Sequence, residues 1–191
     1  VIVLSNKEDI NEIQNKTDNK NIDIVECKLD DSWMRDIAPI FYNEDKKLKS
    51  ISFEFNGYGK YPDYLNDNKI SKFISNYLNI PTKISDLVIE GGAITYDDKK
   101  NLFSTNNVIF NKNRNQKHNR EYIIKELKLL FDLNYIFLFE NGLMEDDTDG
   151  HVDNLLCPIG ENKYLIATTH KLDPNFQILE KNKADLIKFF N

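Results

Sequence analysis

A chain of 191 residues, 40% of them hydrophobic, can bury a sizeable core and reads as one domain or part of one. Its formal net charge of −6 disfavours nucleic acid and anionic lipid as partners and suits a small cation. No apolar run approaches the ~20 residues of a membrane span, no signal-peptide pattern opens the chain, and Cys27 and Cys157 are too few for a disulfide framework, so a cytoplasmic protein with reduced, buried thiols is expected.

Residues 1–4 form a β-branched run that predicts a strand, after which Ser5 or Asn6 can cap a helix carrying Ile10 and Ile13. Residues 22–27 predict a second strand, and 30–36 a polar connection. Residues 37–42 and 48–55 predict a hairpin around the polar turn 43–47. Ile70, Phe73, Ile74 and Tyr77 fall at helical spacing, and Pro81 stops that helix. Residues 84–89 predict the next strand, followed by a short hairpin at 93–96 and 101–104. Ile123, Ile124, Leu127, Leu130 and Phe131 make a helical stripe, and 135–139 a strand. After the polar run 146–153 come strands near Leu155 and at 164–168, then a helix carrying Ile178, Leu179, Leu186, Ile187 and Phe190.

The order strand, helix, strand, polar segment, two strands thus occurs about three times. Asp36, Glu90 and His151 mark the polar segments, 54 and then 61 positions apart. Such a period fits structural repeats that each deliver one reactive segment to a common centre, or an ordinary α/β domain with coincidental spacing.

Three segments can carry chemistry. In residues 30–36 the only tryptophan, Trp33, sits among three carboxylates and Arg35. A carboxylate takes a guanidinium through parallel hydrogen bonds and an indole face stacks on it, although a surface turn with an Arg–Asp ion pair has the same composition. Glu90-Gly91-Gly92 follows an apolar strand, so its carboxylate emerges into a cleft or into solvent. Residues 145–153 hold five carboxylates beside His151, a density that calls for a cation. With Val152 turned to the core of a strand, His151 and Asp153 share the other face. A metal site from Asp147, Asp149, His151 and Asp153 competes, but the spacing is not that of an EF-hand loop and no second His or Cys is near. His118 and His170 read as surface residues without partners, and residues 57–60, Gly-Tyr-Gly-Lys, as a turn.

Taken together, Trp33-Met34-Arg35-Asp36-Ile37-Ala38-Pro39, Leu87-Val88-Ile89-Glu90-Gly91-Gly92-Ala93 and Asp147-Thr148-Asp149-Gly150-His151-Val152-Asp153 resemble the agmatine deiminase and bacterial peptidylarginine deiminase family, as does Asn113-Arg114-Asn115. The resemblance spans nearly the whole chain. It implies an α/β pentein fold, a propeller of repeated strand-helix-strand units around a pseudo-fivefold axis. About three of five units would be present, so that residues 1–191 form one partial domain. It further implies that Asp36 and Asp153 grip the guanidinium, Glu90 supports it or its partners, His151 transfers protons and Trp33 lines the pocket. Asp147 is our candidate for the far end of the substrate.

The implied reaction is hydrolysis of agmatine to N-carbamoylputrescine and ammonia through a covalent Cys-thiouronium, without metal or organic cofactor. The family's nucleophile lies in a C-terminal glycine-rich motif that neither Cys27 nor Cys157 matches. A chain that opens inside a strand without Met is expected to be a fragment, inactive alone, whose open sheet surface another copy or a missing segment covers. A peptidylarginine deiminase and a non-catalytic guanidine- or polyamine-binding protein remain the alternatives.

Overall fold

The computed structural model describes residues 1–17 and 20–191. β1 (Ile2–Ser5) and β2 (Asp23–Glu26) run parallel, joined through α1 (Ile10–Lys16). A single turn, α2 (Met34–Ile37), leads into the hairpin β3 (Ile40–Glu44) and β4 (Lys47–Glu54). The chain returns through α3 (Ile70–Tyr77) to β5 (Thr82–Val88), parallel to β4. The same arrangement follows: hairpin β6 (Thr95–Tyr96) and β7 (Asn101–Thr105), helices α4 (Asn106–Ile109) and α5 (Arg120–Phe131), then β8 (Tyr135–Phe139) parallel to β7. A last hairpin, β9 (Leu156–Pro158) and β10 (Tyr164–Ile166), precedes α6 (Phe176–Phe190). A parallel pair needs a long crossover and a hairpin a short one, so hairpin, helix and parallel strand form a natural unit. Cut at the hairpins, two such units are complete, flanked by β1–α1–β2 and β9–β10–α6, each of which matches part of one.

Several local features differ from the sequence reading. The expected five-residue turn at 43–47 is a two-residue turn, because Asp45 and Lys46 both adopt left-handed φ values of 51° and 62° that match the twist of the strands. Asn6 caps no helix through its side chain; its amide oxygen instead accepts from the Leu29 N–H at 3.0 Å. Val152 lies in a 3-10 turn, Val152–Asn154, and not in a strand. In α6 Leu179 and Leu186 are buried as expected, but Phe189 joins them against the core while Ile187 and Phe190 are exposed, and Tyr77 of α3 is exposed too. Cys157 is exposed, not buried, and Cys27 is half-buried; both are free thiols. Among the described residues, no helix is long and apolar enough to cross a membrane.

Three apolar clusters divide the core, and each anchors one polar segment. Ile37 packs with Phe55, Tyr58, Ile70 and Ile74, which fixes Asp36. Ile89 and Ala93 pack with Ile51, Leu87, Leu102 and Leu127, which fixes residues 90–92. Val152 packs with Phe103, Phe139, Leu155 and Leu179, and holds His151 and Asp153 on either side of it. A polar residue beside a buried one has little freedom to move, so the clusters set where the reactive groups meet.

Candidate active site

The segments meet at a cavity of about 570 Å³ lined by Trp33, Asp36, Tyr58, Asp147, His151 and Asp153 among others. Gly92 touches three of these groups. A Cβ built on this glycine would stand 2.5 Å from His151 Nδ1 and 2.8 Å from Asp36 Oδ1 and from Asp153 Oδ2. Three polar groups from two parts of the chain therefore crowd the backbone of a third, and only glycine leaves room there. Gly91 is fixed for a related reason, since its Cβ would collide with the Arg35 carbonyl.

Asp36, 9% exposed, accepts the Gly92 N–H at Oδ1 and the Tyr58 hydroxyl at Oδ2, both at 2.9 Å. Each carboxylate oxygen keeps a further acceptor site, which can be turned to a ligand. Asp153 has Arg35 Nε 3.4 Å away. Burial pushes its carboxyl above the usual range, partly countered by His151 and Arg35 and reinforced by Asp36. Trp33, 60% exposed, forms part of the rim, and Asp147 also lines the cavity.

Glu90 does not face the cavity. Fully buried, it lies behind the imidazole, with Oε2 facing His151 Nε2 at 3.7 Å and neither atom hydrogen-bonded. Burial pushes the Glu90 carboxyl up, but His151 and Arg114 outweigh it and hold it below the usual range. Arg114 Nε donates a hydrogen bond at 2.7 Å, whereas His151 Nε2, at 3.7 Å, attracts the carboxylate through charge only when the ring is protonated.

The five carboxylates of 145–153 have separate tasks. Asp146 organises its own loop, accepting from the N–H groups of Thr148, Gly150 and His151 and from the Thr148 hydroxyl. Asp149 is held by the chain's own cations, with Arg114 Nη1 at 2.9 Å and Lys60 Nζ at 2.7 Å, so the cation that this crowd calls for is internal. Both Asp149 oxygens are thereby engaged, which removes it from the competing metal set. In the first segment, Asp30 binds the Asn66 backbone and side chain and Asp31 lines the cavity.

Arg114, Tyr58 and Lys60 carried no expected role, yet they tie the site together. The turn at 57–60 holds three consecutive residues at positive φ (64°, 60° and 69°), which swings the Tyr58 ring in to meet Asp36. His118 is also partnered, 3.1 Å from Asp86 and stacked on Tyr122. Among the described residues, no cysteine lines the cavity, and burial and Asp67 raise the Cys27 thiol above its usual value.

The family model described as Porphyromonas-type peptidyl-arginine deiminase matches residues 1–191. The agmatine deiminase of Pseudomonas aeruginosa (strain LESB58) is 32% identical over 169 residues, covering 84% of this chain and 46% of its own length. That of Stutzerimonas stutzeri (strain A1501) is 32% identical over 167 residues, covering 83% and 45%. The chain thus spans about half the length of the curated relatives it matches. A C. jejuni agmatine deiminase with a cysteine-to-serine substitution and substrate bound superposes with a TM-score of 0.89 at 30% identity, over 99% of this chain and 57% of that one. The Enterococcus faecalis agmatine deiminase, at 20% identity, gives 0.90 over 98% and 53%, and shares the α/β fold. With the match running from end to end and the motif residues gathered about one cavity, the chain belongs to the Porphyromonas-type peptidyl-arginine deiminase family, together with the agmatine deiminases.

Proposed function

We propose that this protein is an agmatine deiminase, which converts agmatine and water to N-carbamoylputrescine and ammonia. The observation that carries this reading is the convergence of Asp36, His151 and Asp153 over Gly92. Two carboxylates beside an imidazole suit a flat cation that must be held while protons move.

In this reading Asp36 and Asp153 accept hydrogen bonds from the guanidinium nitrogens, and Trp33 covers the face of the group at the rim. Glu90 acts from behind, keeping the His151 Nε2 proton in place so that Nδ1, 3.7 Å from Asp36 Oδ1, exchanges protons with the leaving ammonia and the incoming water. The family resemblance assigns the attack on the guanidinium carbon to a cysteine outside residues 1–191, which forms the thiouronium that water then hydrolyses. Residues 1–191 would belong to one pentein domain whose repeated units surround a pseudo-fivefold axis. A cytoplasmic enzyme acting on a small guanidine, with no nucleic-acid or membrane partner, fits the acidic charge of the chain.

Agmatine is favoured over arginine by the cavity wall, where six carboxylates, Asp31, Asp36, Asp63, Asp67, Asp147 and Asp153, outnumber the two basic side chains, Arg35 and His151. The far amine of agmatine suits Asp147, whereas the carboxylate of free arginine would be repelled. The family's description favours peptidyl-arginine as the second reading.

The test is ammonia release by the full-length protein from agmatine, arginine and a peptidyl-arginine. We expect turnover of agmatine, slowed by ~10²-fold or more in His151→Ala. Release from arginine alone would overturn the substrate assignment, and undiminished turnover in the variant would overturn the role of His151.

A further inference from the structure

Arg114 has a side chain with no exposed surface, yet it does not line the cavity and cannot touch a substrate there. Its guanidinium instead joins two of the site-bearing segments. Nε donates to Glu90 Oε1 at 2.7 Å, Nη1 to Asp149 Oδ2 at 2.9 Å and Nη2 to the Thr148 carbonyl at 2.9 Å. The neighbouring Asn115 fixes this segment against the end of β5, accepting from the Val88 N–H at 2.9 Å and donating to the Val88 carbonyl at 3.0 Å. On the outer side Lys60 holds the other Asp149 oxygen and the Asp147 carbonyl, both at 2.7 Å.

We propose that Arg114 is a positioning residue of the deiminase reaction, acting through Glu90 to hold the His151 imidazole toward the cavity. The inference rests on the reading given under Proposed function. A carboxylate as deeply buried as Glu90 stays charged only with a cation in contact; deprived of Arg114 it takes up a proton instead. Neutral Glu90 no longer draws the proton to His151 Nε2, and the ring loses its preference, because Asp36 Oδ1, equally 3.7 Å away, then competes for the proton at Nδ1. Lysine keeps the charge at this position but cannot serve Glu90, Asp149 and the Thr148 carbonyl at once, because those contacts use the planar fork of arginine.

The experiment compares full-length Arg114→Gln, Arg114→Lys and Lys60→Met with the unaltered protein. For Arg114→Gln we expect kcat on agmatine to fall by ~10²-fold or more while KM stays within about threefold, and the acid limb of the kcat profile to move to higher pH. Arg114→Lys should restore part of kcat and return the acid limb toward its original place. Lys60→Met, which leaves the Glu90 contact intact, should leave the pH profile unmoved.

A second readout needs no turnover. Nitrogen NMR of the His151 ring, assigned by its disappearance in His151→Asn, should show the proton on Nε2 in the unaltered protein and loss of that preference in Arg114→Gln. If the unaltered protein releases no ammonia from any guanidine, the deiminase reading fails and the ring signal alone decides the part played by Arg114. Folded Arg114→Gln with the original ring tautomer and, where turnover exists, the original pH profile would overturn the proposal. An equal shift in Lys60→Met would overturn it as well, since Lys60 does not touch Glu90.

Discussion

At Gly92 one methyl group decides whether the three polar groups can meet. Gly92→Ala would place a carbon against His151, Asp36 and Asp153, displacing at least one of them, so agmatine affinity should fall by tenfold or more, about 1.4 kcal/mol or above, as titration calorimetry would read. Unchanged affinity would mean that the groups do not share one ligand. The raised carboxyl of Asp153 gives a pH dependence. Only the ionised form grips a cation, so affinity is full above its pKa and lost as pH falls through it, beginning above the ordinary aspartate value of about 3.9. The acid limb should shrink in Asp153→Asn, and a limb of the same size and position would exclude Asp153 as its source.

The polar residues legible in the sequence are those whose type is unusual for their surroundings: Trp33 and Asp36 in one short run, Glu90 before two glycines, His151 amid carboxylates. Asp147 and Asp153 came from the same crowd, and the structure brings both to the cavity. Arg114 and Tyr58 were not assigned, for a physical reason. Their value lies in partners 35 and 22 positions away, Asp149 and Asp36, and no local pattern records such a separation. Signals existed nonetheless. Five clustered carboxylates needed positive charge, which the chain itself supplies, and a tyrosine between two glycines is one whose backbone is being forced.

At the scale of elements, helices and strands followed from periodicity because the apolar stripes of α3, α5 and α6 each face one of three clusters, whereas turn details depended on φ angles that periodicity does not report. The β3–β4 turn allows a check. Lys46 sits at φ 62°, where a side chain is strained, so Lys46→Gly should raise stability by roughly 0.5–1 kcal/mol in thermal or denaturant unfolding. A loss would mean that the Lys46 side chain makes a compensating contact. The anchoring of residues 146–153 has its own acid dependence. Burial pushes the Asp149 carboxyl up, but Lys60 and Arg114 hold it below the usual range. Its contribution to stability is complete above the ordinary aspartate value and disappears as pH falls through the lower, folded one.

For the molecule as a whole, the two complete hairpin–helix–strand units and their flanking parts show how one arrangement is reused, two of the apolar clusters being shared between neighbouring units and each cluster anchoring a polar segment. That reuse was visible as a spacing in the sequence, but the cut points were not, because the hairpins, not the polar segments, begin each unit. The most direct measurement is a crystal structure of the full-length protein, slowed by His151→Asn, with agmatine bound. We expect guanidinium nitrogens within about 3 Å of Asp36 and Asp153, above Gly92 and under the rim formed by Trp33. A guanidinium seated elsewhere, with Asp36 and Asp153 making no contact to it, would contradict the convergence on which the functional reading stands.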